Sequence, residues 1–426
     1  MTDSAGIPGG TDAAGGAEKP PNGRRRRRLL RWIGLGTGLL AVVGAGTGWW
    51  IYSKLDGNID EDTSAAAELR RYDKERPAHL AGGAQNILLI GSDSRTGAGN
   101  APYGQDEGTQ RSDTTILLHL PADRKSATAV SIPRDLMAEI PACLKADGSR
   151  TSEQFAQFNW AFEWGGTACT IRTVEAMTGI RVDHHMVLDF SGFKKMVDAI
   201  GGVEVCLRRP VDDAEAKLKL PAGRQTLQGE QALGFVRARY SLGNGSDTER
   251  MERQQAFLGS LVKKVQSNGV LLNPARLYPL LDAATSSVTT DPGLASLRGL
   301  YELVRGVRDI PTDQIKFLTV PRRPYAADAN RDELRQPDAT QLFQRLRADQ
   351  PLTIAPPAAK ATATPAPVER PDGARDEAAA DDEADRTQDS TQGSTGDGTG
   401  DGPGTAEPST PVPTFTGTTA GVADCR

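Results

Sequence analysis

A run of twenty-one uncharged, mostly apolar residues, WIGLGTGLLAVVGAGTGWWIY (Trp32–Tyr52), follows directly on the basic stretch RRRRRLLR (Arg24–Arg31). As a helix rising about 1.5 Å per residue it spans the hydrocarbon core of a bilayer, about 30 Å thick. Trp32 stands at one end, with Trp49, Trp50 and Tyr52 at the other, where amphipathic rings favour the interface. Cationic flanks stay on the cytoplasmic side, so the sequence predicts a cytoplasmic N-terminus and an extracytoplasmic remainder from Ser53 onward. The run is long for a signal peptide, and no small-residue cleavage site precedes polar sequence. It therefore reads as an uncleaved, single-pass anchor in the cell membrane.

The net charge of −5 over 426 residues conceals three segments. Residues 1–31 carry +4, residues 361–426 carry −9, and the stretch between sums to zero. A neutral middle argues against a nucleic-acid partner, which asks for a basic surplus. Four cysteines in an extracytoplasmic chain imply two disulfides. Cys143–Cys169 closes a moderate loop and leaves Cys206–Cys425, but three pairings are open and the sequence does not choose. No spacing resembles a zinc site.

Periodicity divides the chain into a basic disordered segment (1–28), the anchor (29–52), a polar stalk with a short helix (53–84), one folded domain (85–350), a disordered acidic linker (351–411) and a terminal cysteine-containing segment (412–426). Within the domain, Asn86–Ile90, Thr114–Leu120, Ala127–Ile132, MVLDF, VEVCL and Ile315–Val320 are short apolar runs bounded by Gly, Asp and Pro, hence buried strands. Ala168–Thr178, Phe193–Ile200, Thr248–Gln266 and Asp338–Gln350 read as helices, the last capped by Asp338. The fold class is α/β: a single domain with a central mixed β-sheet flanked by helices, preceded by one transmembrane helix.

The chemistry-bearing residues gather at strand ends. In LLIGSDSR, Asp93 follows a buried strand; in RSDTTILL, Asp113 precedes the next. If those strands are antiparallel neighbours, the two carboxylates meet at one sheet edge. They would then suit a hard cation, Mg²⁺ or alternatively Mn²⁺, completed by water and phosphate. Arg95 and Arg111 flank the pair, and Arg134 follows the third strand in SIPRD. In FVRARY, Arg237 and Arg239 alternate onto one side of an extended segment. Ser246 with Glu249 forms a capping box that starts the next helix. On that helix Arg250, Gln254, Phe257, Leu258, Leu261 and Val265 make one stripe, so Arg250 and Gln254 lean inward above an apolar face while Arg253 sits on the flank. Inward guanidinium groups require counter-charge. A diphosphate suits them, because the planar fork binds phosphate oxygens in pairs.

These residues resemble the LytR-CpsA-Psr family of membrane-anchored cell-wall enzymes, of the actinobacterial type. The matching stretches are NILLIGSDSR, RSDTTILLHL, SIPRDLMAEIP, FNWAFEWGG, VEAMTGIRVDHHMVLDFSGFKKMVDAIGGVEV, GEQALGFVRARY and SDTERMERQQAFL, in the family's order over about residues 85–270. The resemblance implies transfer of a glycopolymer from an undecaprenyl-diphosphate carrier onto peptidoglycan through a phosphodiester, with diphosphate hydrolysis as a side activity. It implies that Asp93 and Asp113 are the Mg²⁺-associated aspartates. It places Arg111, Arg134, Arg237, Arg239, Arg250 and Gln254 around the lipid diphosphate. Arg95 and Arg253 join that substrate-binding set from their positions, and Asp93, Asp113, Arg134, Arg237 and Arg239 are the expected catalytic residues. The departures are Glu249 where the family often has Gly, Gln157 where many members have Lys, and a glycine-rich YSLGNGSD. Glu249 brings a carboxylate close to the anion site unless it folds back as the capping box predicts, and the departures leave the acceptor side open rather than the diphosphate site. A lipid tail needs an apolar channel, for which Phe155, Phe158, Phe162, Met177, Val187, Phe190, Phe193, Met196 and Val197 are available. Two other functions fit the same residues: a non-catalytic prenyl-diphosphate binder or regulator of wall synthesis, and a simple extracytoplasmic pyrophosphatase. His119, His184 and His185 are expected to be structural.

Overall fold

The computed structural model describes residues 23–92, 112–238, 247–267, 274–356 and 413–421. Its strands are, in chain order, β1 (Asp60–Glu61), β2 (Gln85–Ser92), β3 (Ser112–Leu120), β4 (Ala127–Ile132), β5 (Met137–Ile140), β6 (Gln154–Gln157), β7 (His184–Leu188), β8 (Val203–Leu207), β9 (Val211–Asp213), β10 (Leu218–Leu220), β11 (Gly223–Leu227), β12 (Val288–Thr290), β13 (Ile315–Thr319), β14 (Arg322–Tyr325), β15 (Asp328–Leu334), β16 (Thr353–Ala355) and β17 (Thr414–Thr419). The helices are α1 (Gly23–Asp56), α2 (Thr63–Arg71), α3 (Asn159–Thr178), α4 (Phe190–Ala199), α5 (Gly229–Arg237), α6 (Asp247–Gln266), α7 (Pro274–Thr285), α8 (Leu297–Arg308) and α9 (Asp338–Arg347).

Nine strands form one mixed sheet in the order β1-β12-β7-β2-β3-β4-β13-β17-β16. Its middle is apolar on both faces because helices cover both. Leu88, Ile90, Leu117, Val130, Ile132 and Leu318 point to the core shared with α2, α3 and α9. Their neighbours along the strands, Ile87, Ile116, Ala129, Ile315 and Phe317, point to the core under α6 and α8. Side chains of period two thus turn continuous apolar runs into two buried layers. A second lobe, built on the β8–β11 and β9–β10 ribbons with α4, α5 and α6, has its own core around Leu227, Phe235 and Phe257.

Strand direction then decides where a site can lie. β2 and β7 are parallel, as are β4 and β13, while β3 runs against β2 and β4. The carboxyl ends of β2, β4, β7 and β13 and the amino end of β3 therefore share one edge. In open α/β sheets that edge receives ligands.

Several expectations need correction. The stretch 53–84 is part of the domain: β1 extends the sheet beside β12, and Leu55, Ala65 and Leu69 are buried. The domain also continues past residue 350, since β16 pairs with β17, and β17 of the terminal segment pairs with β13. Arg237 closes a helix rather than lying in an extended segment, because Gln228 and Gln231 form a capping box that starts α5 early enough to include it. Helix α3 begins at Asn159, not Ala168, and changes direction at Gly165 and Gly166. A Cβ on Gly165 would lie 2.9 Å from that of Cys143 and 2.8 Å from that of Cys169, so only glycine lets the disulfide pass. Asp338 is not the cap of α9; the cap position is Pro337, and Asp338 pairs instead with Arg335 at 2.6 Å.

Cys143–Cys169 is a disulfide. Cys206 is also disulfide-bonded, and its expected partner Cys425 lies outside the described residues.

Candidate functional site

The register that sets Thr115 opposite Ile132 across β3 and β4, continued by two residues, sets Asp113 opposite Arg134. The Arg134 Nη1 donates to Asp113 Oδ1 at 2.7 Å, with roughly a quarter of each side chain exposed. Pro133 between Ile132 and Arg134 ends the ladder there and frees the arginine from the sheet. The same arginine reaches Asp135, whose Oδ2 lies 3.5 Å from Nε.

Helix α6 brings a second cationic group to this pair. Its start is tied down by Arg322, which donates to the Thr248 hydroxyl and is itself paired with Asp332. Further along, buried Gln255 donates to Ser131 Oγ and Thr319 Oγ1, both at 3.1 Å, which clamps the helix over the ends of β4 and β13. Arg250 is 4% exposed. With α6 held this way, its positive amino-terminal turns add to the guanidinium charge. Gln254 donates to Val236 O at 3.1 Å, and Arg253 donates to Ala238 O; together they join α6 to the end of α5. Burial pulls Arg253 below the usual guanidinium range; Glu249 opposes this and Arg250 reinforces it. At the end of α5, the guanidinium carbon of Arg237 lies 4.6 Å from the ring centre of Phe190, the first residue of α4.

Asp113, Arg134, Arg237, Arg250 and Gln254 line one end of a single cavity of about 1320 Å³. Arg253 does not line it and serves to join the two helices. Asp93, Arg95, Arg111, Arg239 and Ser246 lie outside the described residues, so the structure gives no geometry for them. Beyond the polar end much of the wall is apolar: Phe190, Phe193 and Met196 from α4, Leu233 and Val236 from α5, Phe257 and Leu258 from α6; charged side chains, Asp189, Asp213, Glu215 and Arg298, Arg305 and Arg308 of α8, are set among them. Leu277, Leu280 and Leu281 of α7 and Leu300, Leu303 and Val304 of α8 complete the apolar wall, and Tyr52 near the end of α1 also lines the space. Of the apolar residues expected at a channel, Phe190, Phe193 and Met196 are there. Phe158 and Phe162 sit in the core on the other side of the sheet, Val197 is buried in the second lobe, and Phe155 is exposed on the surface. The α7 and α8 walls are absent from the sequence-based expectation. Their signal was available as Leu297, Leu300 and Val304 at helical spacing, but such a stripe reads first as core. Here Val304 is 50% exposed and Tyr301 60%, so part of that face lacks protein cover.

Among the described residues no group of three or more His, Cys, Asp and Glu side chains forms a metal cage. One carboxylate at the mouth, Asp113, fits a cation such as Mg²⁺ that takes few protein ligands and fills its shell with water and phosphate oxygens. The histidines lie elsewhere. His119 Nδ1 is 2.8 Å from Asn86 Oδ1, and His184 Nδ1 is 3.0 Å from Asp291 Oδ1, both towards the opposite sheet edge.

The LytR_cpsA_psr family model matches residues 55–348. The cell wall biosynthesis protein LcpA of Corynebacterium glutamicum is 35% identical over 308 residues, which is 66% of this chain and 58% of LcpA. The chain thus spans little more than half that relative's length. TagT of Bacillus subtilis, a polyisoprenyl-teichoic acid–peptidoglycan teichoic acid transferase, is 26% identical over 315 residues, 70% of this chain and 89% of TagT. The solved LytR-Csp2A-Psr enzyme from Actinomyces oris superposes with a TM-score of 0.50 at 21% identity, over 64% of this chain and 93% of that one, a likeness of fold.

Proposed function

The chain belongs to the LytR-CpsA-Psr family, and from that premise we propose that it is a membrane-anchored phosphotransferase. Its donor is a glycopolymer on an undecaprenyl-diphosphate carrier, and its acceptor is peptidoglycan. The observation that carries this reading is a cavity with Asp113 and the guanidinium groups of Arg134, Arg237 and Arg250 at one end, and a largely apolar interior, dotted with Asp213, Glu215, Arg298, Arg305 and Arg308, that reaches Tyr52 of the long apolar helix α1 at the other. A ligand matching both ends is an anionic head on a long hydrocarbon tail.

The residues act by holding and by neutralising charge, which is most of what phosphoryl transfer requires. Arg134, Arg237 and Arg250, with Gln254, hold the diphosphate oxygens. An acceptor sugar hydroxyl attacks the polymer-side phosphorus. A new P–O bond forms, the bond to the lipid-side phosphate breaks, and undecaprenyl phosphate leaves. Guanidinium groups facing the leaving phosphate spread its charge and lower the barrier. The hydroxyl proton passes to a carboxylate, with Asp93 and Asp113 as the candidates, a role that competes with metal binding by the same group. Mg²⁺ held by Asp113 and Asp93 would supply further neutralisation of the diphosphate. Arg95, Arg111 and Arg239 belong to the same anion-holding set in this reading.

The test is the purified full chain with labelled lipid-linked donor and peptidoglycan fragments, with and without Mg²⁺. Label on the glycan supports transfer; label released only as free polymer phosphate sinks it in favour of hydrolysis, and no product sinks it in favour of binding. Arg237→Ala and Arg250→Ala should each lower turnover by roughly tenfold or more. EDTA should abolish it, and activity that survives chelation removes the metal from the scheme.

A further inference from the structure

Outside the cavity, two hairpins bring together an exposed phenylalanine and a half-buried tyrosine. Phe155 of β6 and Tyr325 of β14 have ring centres 5.9 Å apart at 60°. Phe155 is 46% exposed, and neither ring lines the cavity. Both hairpins are fastened to the loop that carries Arg134. From the first, Asn159 N donates to Arg134 O at 3.1 Å and Phe158 N to Leu136 O at 2.8 Å. Gln157, two residues from Phe155 and so about 7 Å along the same face of the strand, donates to Asp135 Oδ1 at 2.7 Å. From the second, Asp332 N donates to Asp135 O at 3.1 Å, and Arg331 Nη1 lies 3.6 Å from Asp135 Oδ1. Asp135 is the neighbour of Arg134 and 3.5 Å from its Nε. The ring pair is therefore rigidly indexed to the end of the cavity where the guanidinium groups lie.

Three observations select its ligand. Phe155 is held half exposed with the half-buried Tyr325 ring beside it, and aromatic rings fixed at a surface are favoured contact points for a ligand. The β14–β15 hairpin has no net charge: Arg322, Arg323 and Arg331 pair with Asp332, Glu333 and Asp328, so the ligand is not recognised as an anion. The anchor helix α1 packs against α7 and α8, whereas β5 and β6 pack on α3, so the patch is away from the lipid side. A sugar ring has an apolar face of C–H groups and a rim of hydroxyls, and its apolar face matches an aromatic face.

We propose that Phe155 and Tyr325 form the platform on which the acceptor, an amino-sugar glycan strand of peptidoglycan, stacks so that its hydroxyl meets the phosphorus held at Arg134. This rests on the transfer reading above, in which the donor fills the cavity and the acceptor enters from outside. Phe155 and Tyr325 are specificity-determining residues that touch the acceptor and not the diphosphate.

Binding is measured on the full chain in nanodiscs, with a soluble peptidoglycan glycan fragment in one arm and geranyl diphosphate in the other. Phe155→Ala and Tyr325→Ala should each raise the fragment's Kd by roughly tenfold, Phe155→Trp should restore it, and geranyl diphosphate should bind all of them alike. In the transfer assay the Ala variants should raise the acceptor KM with kcat retained. Unchanged fragment binding in both Ala variants overturns the platform, as does failure of the unaltered protein to bind the fragment. Loss of binding to phosphatidylglycerol vesicles with fragment binding intact reassigns the patch to the membrane and also overturns it. Failure of the unaltered protein to bind geranyl diphosphate, with the fragment effects intact, counts against the transfer reading and leaves the glycan platform standing.

Discussion

Glu175→Ala should destabilise the domain by about 3–5 kcal/mol, although Glu175 is far from the chemistry. Its carboxylate is 3% exposed on α3, and the Arg76 side chain that meets it is 11% exposed. Arg76 Nε donates to Oε1 at 3.1 Å and to Oε2 at 2.9 Å, Nη2 donates to Oε1 at 2.7 Å, and Val182 N donates to Oε1 at 2.9 Å. After truncation the guanidinium keeps its bond to Val182 O, at 2.8 Å, and no longer has a carboxylate against it. A charge left buried without its counter-ion costs more than the ion pair contributed. The loss is a large part of a usual domain stability of about 5–15 kcal/mol, and at about 2–4 °C per kcal/mol it lowers Tm by about 10 °C. Glu175→Gln keeps an acceptor for Val182 N and should cost about 1.5–3 kcal/mol. The double variant Arg76→Met with Glu175→Leu removes both charges and should recover most of the stability. Thermal unfolding of the full chain in detergent, followed by circular dichroism, measures all four proteins. A Glu175→Ala protein within about 1 kcal/mol of the parent, or a double variant as damaged as the single, refutes the reasoning. The result also bears on residues 53–84, since Arg76 ties them to α3.

Three more outcomes are expected. Replacing Cys143 and Cys169 by Ser opens a loop whose ends are 26 residues apart, and unfolding should become easier by about 3–4 kcal/mol; an unchanged midpoint in non-reducing urea titration contradicts this. Gly192→Ala places a Cβ 2.5 Å from Ser287 Cβ and 2.9 Å from Ser287 O, so α4 must shift against the end of α7 at about 1–3 kcal/mol, with weaker donor binding because α4 walls the cavity; equal Tm and equal binding would refute it. Burial pushes His184 down, but Asp291 more than offsets this and holds it above the usual 6.5, while the hydrogen bond from His184 overcomes burial to hold Asp291 below 3.8. The His184 contribution is full below pH 6.5 and fades as pH rises through its folded value; that of Asp291 is present above pH 3.8 and fades as pH falls through its folded value. The Tm gap between Asp291→Asn and the parent should therefore be widest near pH 5–6 and narrow in alkali, and a gap that grows with pH refutes the pairing.

Much of the sheet was legible because a strand buried on both faces is written as a continuous apolar run: Ala127–Ile132 was read to the residue. Asp113, Arg134, Arg250 and Gln254, which line one cavity, were legible as candidates because each stands beside such a run or at the start of an amphipathic helix. Arg237 was misread as extended, since the RAR alternation is local while the capping box that extends the helix begins nine residues earlier. Phe155, Phe158 and Phe162 read alike in sequence, yet one is exposed and the other two are core, because facing depends on how the β5–β6 hairpin lies on α3.

The sequence alone determined an apolar run long enough to cross a membrane, the α/β class, the order of buried strands and the types of group at their ends. Those follow from composition and short-range periodicity, which each segment carries by itself. The tertiary structure decided which ends meet: strand direction and register set Asp113 against Arg134, and the packing of α4 to α8 left an apolar space between the arginines and Tyr52. A segment's own sequence specifies its period and faces, but the position of a strand in the sheet is fixed by contacts between residues far apart in the chain, as β17 beside β13 shows, where Lys316 pairs with Thr419.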